Sequence, residues 1–169
     1  GAHFYTPNAL HAGLVSPRIA ELMYRAGFSH LRIGFESDSP SFQRATGGKV
    51  STPAFERAVD ILLSAGFRGA DVGAYILCGH PAQDAAGIAS AMELCARLGV
   101  EPVLAEYSPI PGSEDFSAAA ASFRRSPADD PLLQNSSIIL YQHPRISTDE
   151  FHGLKNLCRD LRERIRKSA

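Results

Sequence analysis

The sequence lacks several features that would place it in a particular class of protein. Its three cysteines are widely separated and never form a Cys-x-x-Cys pattern, which argues against a disulfide framework and against a zinc site. No apolar run approaches the length that spans a membrane, and the first residues resemble no secretory leader. The net charge of −1 favours neither nucleic acid nor an anionic membrane as a partner. We therefore expect a cytoplasmic protein without these partners.

The residues that are present suit one globular domain with a substantial core. Hydrophobic residues make up 44% of the chain and charged residues 21%. Cys78 lies in an apolar run, and Cys95 and Cys158 lie on apolar faces of helical patterns, so all three are predicted to be small buried side chains. Basic residues gather near the C-terminus, where they are predicted to be solvated and to complement a helix dipole: Arg159, Arg162, Arg164, Arg166 and Lys167.

A unit made of a capped amphipathic helix and an apolar strand recurs with a period of about 40 residues. Ser16-Pro17, Thr52-Pro53 and Asp84 open three predicted helices. Four apolar stretches are predicted to be strands, at residues 3–5, 31–35, 72–78 and 103–107. This alternation predicts a parallel sheet with helices packed outside it and with the carboxyl ends of the strands at one rim.

Four strands and three helices make either half of an eight-fold barrel or an open doubly wound sheet. No Gly-x-Gly-x-x-Gly follows the first predicted strand, which argues against dinucleotide binding. We therefore predict an α/β fold, a partial TIM-like half-barrel, over residues 1–112. Residues 113–169 are predicted to be a C-terminal extension with a loop or short helix, a short strand at 137–141 and a last amphipathic helix capped by Thr148.

Polar or turn-forming residues stand where three of the predicted strands end. They are Glu36-Ser37, Gly79-His80-Pro81 and Ser108-Pro109-Ile110-Pro111-Gly112. A carboxylate at the end of a buried strand is costly unless something pairs with it, so Glu36 indicates a site of chemistry. A structural salt bridge from Glu36 to Arg32 or Lys49 is the alternative.

These segments, in this order, resemble the second half of a radical S-adenosylmethionine core. The resemblance covers roughly residues 1–112 and is carried by Ile33-Gly34-Phe35-Glu36-Ser37, Thr46-Gly47-Gly48-Lys49, the stretch from Tyr75 to Gln83, and the Ser108–Gly112 turn. It implies strands three to six of a partial (β/α)6 barrel. The chain contains neither the first two strands nor the Cys-x-x-x-Cys-x-x-Cys loop that ligates a [4Fe-4S] cluster in this family.

The resemblance therefore implies a C-terminal fragment of a longer enzyme, with the missing N-terminal part as its partner. We expect the isolated chain to be inactive and to bind S-adenosylmethionine weakly, because the ligand's amino-acid part normally chelates the absent iron. The chain is most similar to members that carry a cobalamin-binding domain, which would add cobalamin to S-adenosylmethionine and the cluster as cofactors.

The resemblance also implies which residues contact the cofactor. Glu36 takes the position of a polar residue that contacts S-adenosylmethionine, where it would accept from ribose hydroxyls or pair with the ammonium group. Lys49 lies near the position of a basic residue for the ligand's carboxylate, with an exposed loop lysine as the alternative. The full cofactor-binding set is Glu36, Ser37, Lys49, Ile76, Leu77, Cys78, Gly79 and Tyr107.

Within this set, residues 76–78 would lie against the adenine, Gly79 would allow close backbone approach, and Tyr107 would stack. Tyr75 departs from the family, because some members carry an acidic group there. A second set is predicted to face a small-molecule substrate: Tyr5, Asn8, His11, His80 and Glu106. His80 is a candidate proton donor, and Glu106 would point into the barrel. An ordinary structural role is the alternative for each.

Two other functions stay open. A half-barrel aldolase or phosphate-binding enzyme would pair Glu36 with a lysine, but no lysine lies inside a predicted strand, which argues against Schiff-base chemistry. A non-catalytic binding or assembly module would use the rim for a protein partner. A barrel without its first two strands would leave the strand at residues 3–5 as an unprotected edge, so we expect the isolated chain to self-associate, most simply as a dimer.

Overall fold

Helices and strands alternate along the chain in the computed structural model, which describes residues 3–113, 115–128, 130–134 and 137–168. The elements are β1 (Leu10–His11), α1 (Pro17–Arg25), β2 (Leu31–Glu36), α2 (Pro40–Ala45), α3 (Thr52–Ser64), β3 (Val72–Cys78), α4 (Ala85–Arg97), β4 (Glu101–Glu106), α5 (Phe116–Ser122) and α6 (Thr148–Ser168). Short 3-10 turns lie at Ala12–Leu14, Gly69–Asp71, Pro131–Leu133 and Ser137–Gln142.

Side-chain caps set where the helices begin. Ser16 Oγ accepts from the Ile19 amide at the start of α1, and Asp84 does the same for the Gly87 amide before α4. The helix predicted to open at Thr52 is instead capped by Ser51. Ser39 caps α2, a short helix that the periodicity did not predict because it has only six residues.

The four strands form one parallel sheet in the order β1-β2-β3-β4, which confirms the predicted fold class. Alternate residues of β2 are buried, and Phe35 stacks on Phe55 of α3 with ring centroids 4.1 Å apart. One face of the sheet is therefore packed by helices. The other, open face carries partly exposed side chains such as Arg32, Tyr75 and Leu77.

The predicted first strand differs from the observed one. Phe4 makes only an isolated bridge with Phe28, whereas Leu10 and His11 pair with Ile33 and Gly34 as β1. Pro7 lies between the two pairings and has no amide hydrogen to donate to a ladder, so the edge is divided into two short pieces.

Two predictions for the C-terminal extension were wrong. Residues 137–142 form a 3-10 turn instead of a strand, and this turn places the adjacent Ile139 and Leu140 together in the core. The cap of α6 is Ser147, not Thr148. Its amide donates to the Glu150 carboxylate, and its hydroxyl accepts from the Glu150 amide, as in a capping box.

The extension shares the hydrophobic core of the strand–helix repeats. Phe151, Leu154 and Leu161 of α6 are buried in the same cluster as β2, β3 and α4. Cys78, Cys95 and Cys158 are all buried, which confirms their predicted role as small core residues. In the described part of the chain, no helix combines the length and the apolar character needed to cross a membrane.

Candidate functional site at the strand ends

Glu36 ends β2 in a backbone conformation that side-chain-bearing residues rarely adopt. Its φ is +70°, and the Ser37 amide donates to the Phe35 carbonyl at 2.9 Å, which closes a three-residue turn. The pairing of β2 with β3 also shifts register between Gly34 and Glu36. A bulge of this kind re-aims a side chain, and strained backbone of this kind is concentrated at functional sites.

Within the described ranges the Glu36 carboxylate has no hydrogen-bond or ion-pair partner, so the predicted alternative of a salt bridge to Arg32 or Lys49 does not form. The Arg32 guanidinium donates instead to the Leu31 carbonyl at 3.0 Å, and Lys49 is exposed in the loop after Gly47 and Gly48. The carboxylate at the end of β2 is therefore available for a ligand.

The backbone beyond Glu36 is held in place by a polar network. Ser37 is buried, its hydroxyl accepts from the Ser39 amide, and its carbonyl accepts from Gln43 Nε2 at 2.6 Å. Gln43 Nε2 also donates to the Thr52 hydroxyl at 3.2 Å. These bonds tie the β2 exit to α2 and α3, so the left-handed turn at Glu36 is rigidly supported.

The residues of β3 divide between the two faces of the sheet. Ile76 and Cys78 are buried, and burial raises the pKa of the Cys78 thiol to about 12. Leu77 is partly exposed on the open face. Of residues 76–78, only Leu77 therefore presents its side chain to a ligand at the open face.

Gly79 lies where the C-terminal extension packs over the exit of β3. A Cβ at this position, where φ is +99°, would overlap Leu140 Cδ2, so this contact requires glycine. No local pattern indicates the contact, because Leu140 is 61 residues away in the chain.

His80, Tyr107 and Asp115 form a hydrogen-bonded cluster just beyond β3 and β4. Asp115 Oδ2 accepts from the Tyr107 hydroxyl at 3.0 Å and lies 3.1 Å from His80 Nε2. His80 Nδ1 accepts from the Ala82 amide, which assigns the proton to Nε2 in the neutral ring. Burial and the bond to Asp115 raise the pKa of the Tyr107 phenol, so it remains a donor.

The cluster contains His80 and Tyr107, which were predicted for different sites, and Asp115, which was not predicted from the sequence. Asp115 is 35 residues from His80 and belongs to no motif, so only the fold brings it to the rim. Its side chain is 55% exposed. Both ring nitrogens of His80 form hydrogen bonds, so His80 positions the Asp115 carboxylate.

The Glu106 side chain faces the C-terminal helix α6 and not the open face of the sheet. Its carboxylate pairs with Lys155 Nζ at 3.0 Å and accepts from the Ser137 hydroxyl. Burial alone would raise the pKa of this carboxyl, but the bonds from Ser137 and Lys155 outweigh it and leave the pKa below its usual value. The register explains the position, because Glu106 pairs with Cys78, whose side chain is on the helix-packed face.

The predicted substrate-side residues near β1 are exposed. Tyr5 and Asn8 lie in the segment before β1, and Tyr5 is 68% exposed. His11 is the register partner of Gly34, two residues before Glu36, and its Nδ1 accepts from the Gly13 amide at 3.1 Å. Of these three, His11 is the residue that the sheet brings nearest to the end of β2.

Comparison with known proteins finds a similarity of fold. No protein family model matches the sequence, and no curated protein matches it at a significant level. Among solved structures, the chain is similar to coproporphyrinogen III oxidase (HemN) from Escherichia coli, which is a radical SAM enzyme. The similarity has a TM-score of 0.58 at 15% identity and covers 92% of this chain. The chain spans 32% of the length of HemN, or about a third.

Proposed function

We propose that this chain is the part of a radical S-adenosylmethionine enzyme that contacts S-adenosylmethionine and faces a small-molecule substrate, within a longer protein. The fold similarity to HemN and the order of the motifs support this proposal. The observation that carries it is Glu36, an unpaired carboxylate in a left-handed turn at the carboxyl end of a parallel strand. Ligands of parallel α/β folds bind at these strand ends.

The surroundings of Glu36 suit the polar part of S-adenosylmethionine. A carboxylate on a supported backbone, without a partner among the described residues, accepts well from ribose hydroxyls or pairs with an ammonium group. Leu77 supplies apolar surface on the neighbouring strand, and the ring of Tyr107 lies beyond the next. Asp115, fixed by His80 and Tyr107, would hold a hydroxyl or amino group of the substrate at the same rim.

The described residues do not fit a [4Fe-4S] cluster. Within residues 3–113, 115–128, 130–134 and 137–168, no three side chains of the metal-binding types are grouped so that they could hold a metal ion. The three cysteines are buried separately in β3, α4 and α6. The proposal therefore assigns the cluster ligands to another part of the longer protein, in the cytoplasm, and leaves open whether cobalamin is a further cofactor.

Titration of S-adenosylmethionine into the full-length protein tests the role of Glu36. Glu36→Gln removes the charge but keeps the shape of the side chain, and it is expected to weaken binding about tenfold, or about 1.4 kcal/mol. Glu56→Gln is the matched control, because Glu56 is exposed on α3. Equal affinity for the Glu36→Gln variant and the wild type would contradict the proposal.

A further inference from the structure

A cavity of ≈ 320 Å³ lies at the opposite end of the sheet from Glu36. His30 directly precedes β2, Asp71 directly precedes β3, and Glu101 begins β4, so these residues meet at the amino ends of the strands. Two arginines from α6 close the cavity on one side. Its lining residues are His30, Arg32, Arg68, Ala70, Asp71, Glu101, Arg162 and Arg166.

Both carboxylates that line this cavity form ion pairs with arginines of the same cavity. Asp71 accepts a two-point bond from Arg68, with distances of 2.7 and 3.0 Å. Glu101 is only 2% exposed and is shared by two guanidinium groups, Arg162 at 3.0 Å and Arg166. One carboxylate between two arginines leaves an excess of one positive charge. These arginines are therefore not simply solvated, as the sequence had suggested.

Arg32 adds a second positive charge that has no counter-ion. Its guanidinium is partly buried, lies against Gly73, and donates to the Leu31 carbonyl. No carboxylate of the described residues pairs with it. A cation withdrawn from water is normally paired, so the unpaired Arg32 points to an anion supplied from outside the chain.

His30 lines the cavity and has an unusual backbone conformation. Its φ is +53°, and it is one of two non-glycine residues with positive φ in the described chain, the other being Glu36. Backbone strain of this kind persists where the surrounding structure imposes it, often at ligand sites. The imidazole adds a further hydrogen-bond donor beside the arginines.

We propose that this cavity binds the phosphate group of a small phosphorylated molecule. A guanidinium has five N–H donors that match the oxygens of phosphate, and Arg32 gives one of its donors to the Leu31 carbonyl. The charge excess of two matches a phosphate dianion. The cavity volume falls at the lower end of the range for small-molecule sites, so it has room for more than the phosphate alone. The site does not depend on the proposed function, because it lies at the other end of the strands.

Titration of the full 169-residue chain with inorganic phosphate tests the proposal, with the imidazole resonances followed by NMR. The ionic strength is held constant with chloride. Saturable shifts of the His30 resonance are expected in the wild type and in Glu36→Gln, because Glu36 is remote from the cavity. A failure of S-adenosylmethionine binding would thus leave this result unchanged.

Arg32→Gln is expected to weaken phosphate binding at least tenfold. Arg57→Gln removes a charge on the exposed side of α3 and is expected to leave phosphate binding unchanged.

If Arg32→Gln fails to fold, His30→Asn replaces it, because asparagine tolerates the left-handed backbone at this position. Calorimetry is then expected to show several-fold weaker phosphate binding. A wild type without saturable binding, or an equal loss in the Arg32 and Arg57 variants, would overturn the proposal.

Discussion

At the scale of single residues, hydrogen bonds of the His143 side chain hold the C-terminal extension against the rim of the sheet. The side chain is fully buried, and its Nε2 lies 3.0 Å from the His80 carbonyl. Its Nδ1 accepts from the amides of Arg145 and Ile146, so the ring must be neutral with the proton on Nε2. Protonation of Nδ1 would remove the acceptor that both amides need.

This arrangement predicts a loss of stability in mild acid. Burial lowers the pKa of the His143 imidazole below its unfolded value, so the unfolded chain binds the extra proton first. The free energy of unfolding is therefore expected to decrease as the pH falls below about 6.5. Urea denaturation at pH 7.5 and pH 5.5 measures this change.

His143→Ala is expected to destabilise the protein by about 2–4 kcal/mol at pH 7.5, because it opens a cavity and removes the bonds of one buried and two partly buried backbone groups. The difference in stability between the two pH values should also shrink in this variant. His152→Ala, on an exposed position of α6, is the control. An unchanged pH dependence in His143→Ala would show that another group titrates.

Some residues of the candidate site can be predicted from the sequence, and others cannot. Glu36 was predictable, because a carboxylate that ends an apolar run is conspicuous in the sequence. Asp115 and His143 were not, since their partners lie 35 and 63 residues away and no local pattern records those contacts. The lining of the phosphate cavity was missed for the same reason, since its arginines are far apart in the chain.

At the scale of elements, the four longer helices α1, α3, α4 and α6 and the three main strands follow from local patterns of caps and apolar spacing. One error falls where long-range packing decides the conformation. The segment 137–142 is apolar enough for a strand, but it packs Leu140 against Gly79 and forms a helical turn. The sheet edge next to β4 is taken up by α6, so no position remains for a further strand there.

The attachment of α6 to β4 depends on Glu101. Removing this buried carboxylate leaves Arg162 and Arg166 without their shared partner, although both reach solvent. Glu101→Ala is therefore expected to cost about 1–3 kcal/mol, less than a fully buried pair. Thermal and urea denaturation measure this loss of stability. Glu163→Ala is the control, because Glu163 is exposed on α6, the helix that carries Arg162 and Arg166. Equal stability of the two variants would contradict this role of Glu101.

At the scale of the whole molecule, one edge of the sheet is open. β1 has a strand neighbour on one side only, and large apolar side chains near it are exposed. These are Phe4, Tyr5, Leu14, Ile19 and Leu22. An exposed apolar surface next to an unpaired edge favours association with another chain.

We expect the isolated chain to form a dimer through this surface at micromolar concentration, as measured by light scattering. The double variant Leu14→Asp and Leu22→Asp should shift the population to monomer, because charges would then be buried in the interface. Leu132→Asp, at a residue 78% exposed in the extension, should leave the dimer unchanged. A wild type that remains monomeric would contradict the prediction.

We propose that this chain supplies one half of a radical S-adenosylmethionine barrel, while the cluster ligands lie elsewhere in a longer protein. The absorption spectrum and iron content of the product of the complete reading frame, purified without oxygen, test this proposal beside the 169-residue chain. We expect iron–sulfur absorption and reductive cleavage of S-adenosylmethionine for the complete product alone. A complete product without a cluster, or a 169-residue chain that holds one, would contradict it.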